Sequence, residues 1–95
     1  MQQSLEASQG WNTIGFAANA PGRGCFLKIS GKAEFDRAEV LFADGELRTL
    51  DLELTRRGKG TYELAQWEQS REIVCVRMRA RACSARARVQ LLLAR

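Results

Sequence analysis

The residues with the clearest chemical potential lie in the stretch RMRARACSARAR, positions 77–88. There Arg77, Arg79, Arg81, Arg86 and Arg88 alternate with small or apolar residues. A guanidinium presents a planar fork of N–H donors that matches carboxylate, phosphate and sulfate, so such a set points to recognition of an anion. The competing reading is a solvated strand face, in keeping with a chain that uses arginine far more than lysine. Sequence-specific reading of nucleic acid is not expected, because no aromatic residue is interleaved over 71–95 to stack on bases. Any nucleic-acid contact would be salt-sensitive and directed at the backbone.

Other reactive residue types are sparse. The chain has no histidine, which removes the commonest general base and the commonest metal ligand together. The carboxylate pairs Asp44/Glu46 and Asp51/Glu53 fall on a predicted turn and a predicted strand face, where solvated charge is expected and hydrolytic chemistry is not. The cysteines Cys25, Cys75 and Cys83 form no CxxC motif, and a zinc site would need a fourth ligand from a chain without histidine. On one extended strand Cys75 and Cys83 would stand ~26 Å apart, so a disulfide, if formed, joins Cys25 to one of them. Three reduced thiols are the alternative. Trp11 and Trp67 are candidates for a sugar-stacking platform, set against ordinary apolar packing under a loop. PGRG, 21–24, lacks the Lys-Ser/Thr and the following helix of a phosphate-binding loop. No catalytic residue, metal or cofactor is expected.

The elements that must carry these residues are short. A chain of 95 residues supports one core, and one proline with 45% hydrophobic residues argues for an ordered globular domain. No apolar run approaches the ~18–20 residues of a membrane span. The opening Met1-Gln2-Gln3 lacks the charged and apolar parts of a leader peptide, which taken literally implies the cytoplasm. The net charge of +4 is unevenly spread. Residues 1–70 hold eight Lys/Arg against ten Asp/Glu, whereas 71–95 hold seven arginines against Glu72 alone. That asymmetry suggests an anionic partner, or an acidic part of the fold lying against the basic part.

Residues 1–9 are polar and aperiodic and predict a flexible arm, leaving 10–95 as the domain. Strand-like runs follow at 11–18, 25–30, 37–43, 47–56, 61–64, 73–82 and 85–94, with a loop at NAPGRG, 19–24, and glycine-containing breaks between others. About seven strands with turns every 8–12 residues predict an all-β, antiparallel β-sandwich, jelly-roll-like or immunoglobulin-like. The expected core is Ile14, Phe16, Leu27, Ile29, Val40, Phe42, Leu50, Leu52, Leu54, Val74, Val76, Met78, Val89 and Leu91. A three-residue loop Asp44-Gly45-Glu46 would pair Val40 with Leu50 and Ala38 with Leu52, with a positive φ near Gly45. A C-terminal hairpin turning at Cys83-Ser84 would set Arg81 opposite Arg86 and Arg79 opposite Arg88. Such like-charge pairs cost up to ~1 kcal/mol each. Asp51, Glu53 or Glu63 on neighbouring strands, or an external anion, would have to offset that cost.

The order GWNTIG, FDRAEVLFADGE, GKGTYELAQ and REIVCVRMRARA…ARARVQLLLAR resembles a loose group of small exported bacterial proteins of unknown function. They share an early Trp-x-x-(Leu/Ile)-Gly, a glycine turn and an Arg-rich final hairpin. The resemblance spans most of 10–95 and implies an all-β sandwich, a secreted or periplasmic location and no catalytic residues to carry over. Here the terminal glycine is replaced by Leu93-Ala94 and the NAPGRG loop is short.

The leading expectation is a non-catalytic binding module. Its arginine face would meet an anionic glycan, a surface polymer or, non-specifically, nucleic acid. The alternative is a structural protein that pairs with itself or another protein through a sheet edge or Cys83.

Overall fold

The computed structural model describes the backbone of residues 2–95 and the side chains of 2–50 and 58–95. Six strands run β1 (Gln2–Glu6), β2 (Asn12–Ser30), β3 (Ala33–Phe42), β4 (Leu47–Arg57), β5 (Gly60–Ala82) and β6 (Arg86–Ala94), with a 3₁₀ turn at Ala7–Gln9. They form one antiparallel sheet in the order β1-β6-β2-β5-β3-β4. Among the described residues no helix is long and apolar enough to cross a membrane.

Two pairs of the seven expected strands fuse, into β2 and β5, and the unexpected β1 brings the count to six. β2 has 19 residues and β5 has 23, several times the usual ~5–6. NAPGRG, read from sequence as a loop, is the kinked middle of β2: Pro21 pairs with Glu72 and Gly22 with Arg71. The register slips on both sides of this segment, between Ala17 and Ala20 and between Gly22 and Gly24, and Asn19 takes φ 47°. Loop-type composition thus serves a bulge, where an extra residue bends a strand without ending it. Gly24 is required by close approach, since a Cβ there would lie 2.7 Å from the Ala65 carbonyl oxygen.

The segment expected as an arm supplies strand β1. Gln2–Glu6 pairs with β6 from Gln90 to Arg86, and its one apolar side chain, Leu5, is buried. A single inward leucine leaves no periodicity to read, so only the pairing reveals the strand.

Both ends of the two long strands serve one core. β2 pairs with β6 only over Gly24–Ser30, while β5 pairs with β3 only over 73–82. Leu5, Leu27, Ile29, Val89 and Leu91 from one end join Ile14, Phe16, Phe35, Val40, Phe42, Val76 and Met78 from the other in one buried cluster. A flat sheet cannot close one face on itself, and the register shifts in the β2–β5 and β3–β5 pairings mark where these long strands can bend. Ten of the expected core residues are buried as predicted. Leu50 is only partly buried. Leu52 and Leu54 lie outside the described side chains. Val74 gives up its place to Ile73, because bulges against both β2 and β3 invert the alternation there.

The β3–β4 hairpin has a three-residue loop, one residue earlier than expected: Ala43-Asp44-Gly45. The Phe42 N–H donates to the Glu46 carbonyl at 2.9 Å and the Gly45 N–H to the Phe42 carbonyl at 3.0 Å. Gly45 takes φ 92°, as the turn demands. Val40 therefore pairs with Arg48 and Ala38 with Leu50, a two-residue shift that preserves which face is buried.

The C-terminal hairpin is overturned. β5 and β6 are consecutive in the chain but not neighbours in the sheet, because β2 lies between them. The connection 83–85 instead docks on the β2–β3 turn, where the Cys83 N–H donates to the Lys32 carbonyl at 2.8 Å and Ser84 Oγ accepts from the Lys32 N–H at 3.1 Å. Arg81 does not face Arg86, and Arg79 does not face Arg88.

Candidate anion-binding site

Alternation along β5 and β6 turns all five arginines away from the core, but on different neighbours. Arg77, Arg79 and Arg81 lie beside β3, whose acidic residues meet them in turn. Arg77 lies 3.5 Å from Glu39, Arg79 4.0 Å from Asp36 and Arg81 2.9 Å from Glu34. Arg86 lies 3.8 Å from Glu6 of β1. Among the described residues the ladder is thus countered by Glu34, Asp36, Glu39 and Glu6, while Asp51 and Glu53, expected from sequence in that role, lie outside the described side chains. The tightest pair is Arg81 with Glu34, a carboxylate that is only 8% exposed.

The two tryptophans do not form one platform. Trp11 sits at the Arg81 end of β5, with the Arg79 and Arg81 guanidinium carbons 5.5 and 5.1 Å from its ring centroid. Cation–π contact of this kind occupies the ring with the protein's own cations. Trp67, fourteen positions from Arg81 on the same strand, belongs to the other end. Its indole N–H donates to the Gly22 carbonyl at 2.7 Å and its ring meets Phe42 edge-on at 5.1 Å. It pins the β2 bulge. The three cysteines carry free thiols. Cys25 is buried and burial pushes its thiol up to about 11, while Cys75 and Cys83 are half-buried. Among the described residues no group of three or more Cys, Asp or Glu is placed to hold a metal ion.

The cation left over is Arg88. Its strand neighbours are Ser4 on β1 and Ser30 on β2, neither of them acidic. One step along, the outer-face row reads Gln2, Gln90, Lys28 and Thr61 across β1, β6, β2 and β5. Lys59 enters just before β5, beside the Ile29–Gly60 pair. These residues line a groove of about 270 Å³ containing Lys28, Lys59 and Arg88, with Ser30, Thr61, Gln2 and Gln90 as polar lining. No carboxylate lines it among the described residues, and none of the three cations has an ion-pair partner among them. Lys28, Lys59 and Arg88 are all exposed.

A sheet's geometry fixes the spacing. Diagonal neighbours on paired strands stand ~7–8 Å apart, so Lys28 is about that far from Arg88, and Lys59 immediately precedes Gly60, the partner of Ile29. The exposed charged ends of these three residues repel weakly when no anion is present, a cost that a bound anion reverses.

The sequence reading found Arg88 but not Lys28 or Lys59. Two of the chain's three lysines converge on this groove. The available signal was the polar-out alternation of Lys28 and the lack of an acidic residue next to either lysine, and it becomes a site only once β2 is known to lie between β5 and β6. The chain matches no protein-family model and no curated protein.

Proposed function

We propose that this protein is a non-catalytic binding module for an anionic partner, and that its contact surface is centred on Arg88 rather than spread over all five arginines. The observation that carries this reading is the groove in which Lys28, Lys59 and Arg88 gather with hydroxyl and amide groups and without a described carboxylate. Arg77, Arg79, Arg81 and Arg86, each with an acidic neighbour, lie outside that surface. The bends in β2 and β5 support a sandwich-like arrangement, in which the groove lies on the outside of the β1-β6-β2-β5 end. The exported location implied by the resemblance fits an acidic glycan or surface polymer as the partner.

The test is an amide-shift titration of labelled protein with a sulfated oligosaccharide and a short single-stranded DNA, at low and moderate salt. Shifts at 28–30, 59–61 and 88–90 that weaken with salt are expected. An unchanged spectrum at low salt with both ligands would remove the anion reading altogether.

A further inference from the structure

The groove's donor set is specific enough to select a class of anion, and on the anion-binding reading above we infer that it takes one phosphate or sulfate ester group carried on a single sugar-sized, hydroxyl-rich unit. Three cations and two hydroxyl donors surround the space. A carboxylate offers one charge and two oxygens, which leaves part of that set uncompensated. A phosphate monoester offers up to two charges and a sulfate monoester one, each with three free oxygens, and guanidinium and ammonium groups both bond to them well. The lysine and arginine stems are long enough to bring groups ~8 Å apart at their bases together on one such centre.

Size and lining describe the rest of the ligand. The groove's 270 Å³ is about nine times the ~30 Å³ share of one liquid water, more than a bare tetrahedral ion fills. Its remaining polar surface comes from Gln2 and Gln90, amides that donate and accept and so suit sugar hydroxyls. No aromatic side chain lines it among the described residues, so a nucleobase would find no stacking partner. The site is also short. The neighbouring cations of the outer face, Arg86 and Arg77 to Arg81, are engaged by Glu6, Glu39, Asp36 and Glu34. A long polyanion would therefore meet about three available charges.

Isothermal titration and amide shifts with glucose 6-phosphate, glucose 6-sulfate, inorganic phosphate and adenosine 5′-monophosphate test this directly. One or both sugar esters should bind more tightly than inorganic phosphate, the better of the two naming the ester, and the nucleotide should gain nothing from its base. Lys28→Gln and Arg88→Gln should each weaken binding by about tenfold, the loss of one charge-assisted hydrogen bond. Arg77→Gln should change it less than about twofold, as expected for an exposed, already paired cation. A salt series on a single-stranded oligonucleotide should give a log–log slope near −2, from ~0.7 per neutralised phosphate for about three cations.

Inorganic phosphate binding as tightly as the sugar esters would overturn the sugar-sized body. Nucleotide binding well above the sugar phosphate would overturn the claim that no base is read. A slope beyond about −4 with shifts across 77–81 would overturn the short site while leaving the module an anion binder. Failure of every ligand would remove both inferences together.

Discussion

At the scale of the residue, similar side chains do opposite work according to what lies beside them. Arg81 and Arg88 occupy the same outward alternation, yet Arg81 stands 2.9 Å from the buried Glu34 and Arg88 stands between two serines. Replacing Arg81 with Gln removes one close charged partner from a buried carboxylate, so denaturant unfolding should show a loss of about 1–2 kcal/mol. Anion binding should be unaffected. Arg88→Gln should do the reverse, because no charge depends on it. A stability loss in the Arg88 variant equal to that in Arg81 would contradict this division. Cys25 makes a second residue-scale prediction. Burial raises its thiol from 9.0 to about 11, so the folded state holds the proton that the unfolded chain releases. Stability from this group is complete below pH 9 and is lost as pH rises through 11, at about 1.4 kcal/mol per pH unit in between. Unfolding curves of Cys25→Ala should lack that share of the alkaline decline, and parallel curves for the two proteins would refute it.

At the scale of the element, the sequence discloses alternation but not partnership. Ala38, Val40 and Phe42 are buried as their spacing predicts, and the turn beside them has the predicted length and a glycine at φ 92°. These features depend on residues a few positions apart. The fused strands were not legible, because Asn19, Pro21 and Gly22 have the same composition whether they end a strand or bend one. The candidate site was half legible for the same reason. Arg88 is visible in any register, whereas Lys28 and Lys59 join it only through a β6-β2-β5 order that adjacency in sequence argues against. Glycines separate the two kinds of turn experimentally. Gly45 has φ 92° and open space around a notional Cβ, so Gly45→Ala should cost about 1–2 kcal/mol from backbone strain alone. Gly31 has φ 87°, and its Cβ would come within 2.6 Å of the Arg86 carbonyl oxygen. Gly31→Ala should cost more and should free the 83–85 connection, seen as faster exchange of the Cys83 amide proton that now bonds to Lys32. Equal costs for the two variants would mean that this packing is not tight.

At the scale of the whole molecule, a net charge of +4 understates how unevenly cation is available. The basic excess of 71–95 folds against acidic residues of the earlier part, Glu6, Glu34, Asp36 and Glu39, so most of the arginine ladder is matched within the sheet. Exposed pairs of this kind add little stability, because the charges are well solvated and screened. Their larger effect is on the field outside, where a carboxylate beside each arginine shortens the reach of its potential. This gives a prediction at the same scale. Asp36→Asn with Glu39→Gln raises the net charge by two and unmasks Arg77 and Arg79, which lie next to each other on the outer face of β5. Retention on a sulfated-polymer column should then move to higher salt, and the log–log salt slope of oligonucleotide binding should steepen by about 1.4, two further cations at ~0.7 each. The unfolding midpoint should change little, since both carboxylates are partly solvent-exposed. A control that adds the same charge away from the ladder and the groove, Glu68→Gln with Glu72→Gln, should raise retention less and leave the slope unchanged. If the two double variants behave alike, net charge alone governs polyanion binding and the acidic partners on β3 have no masking role.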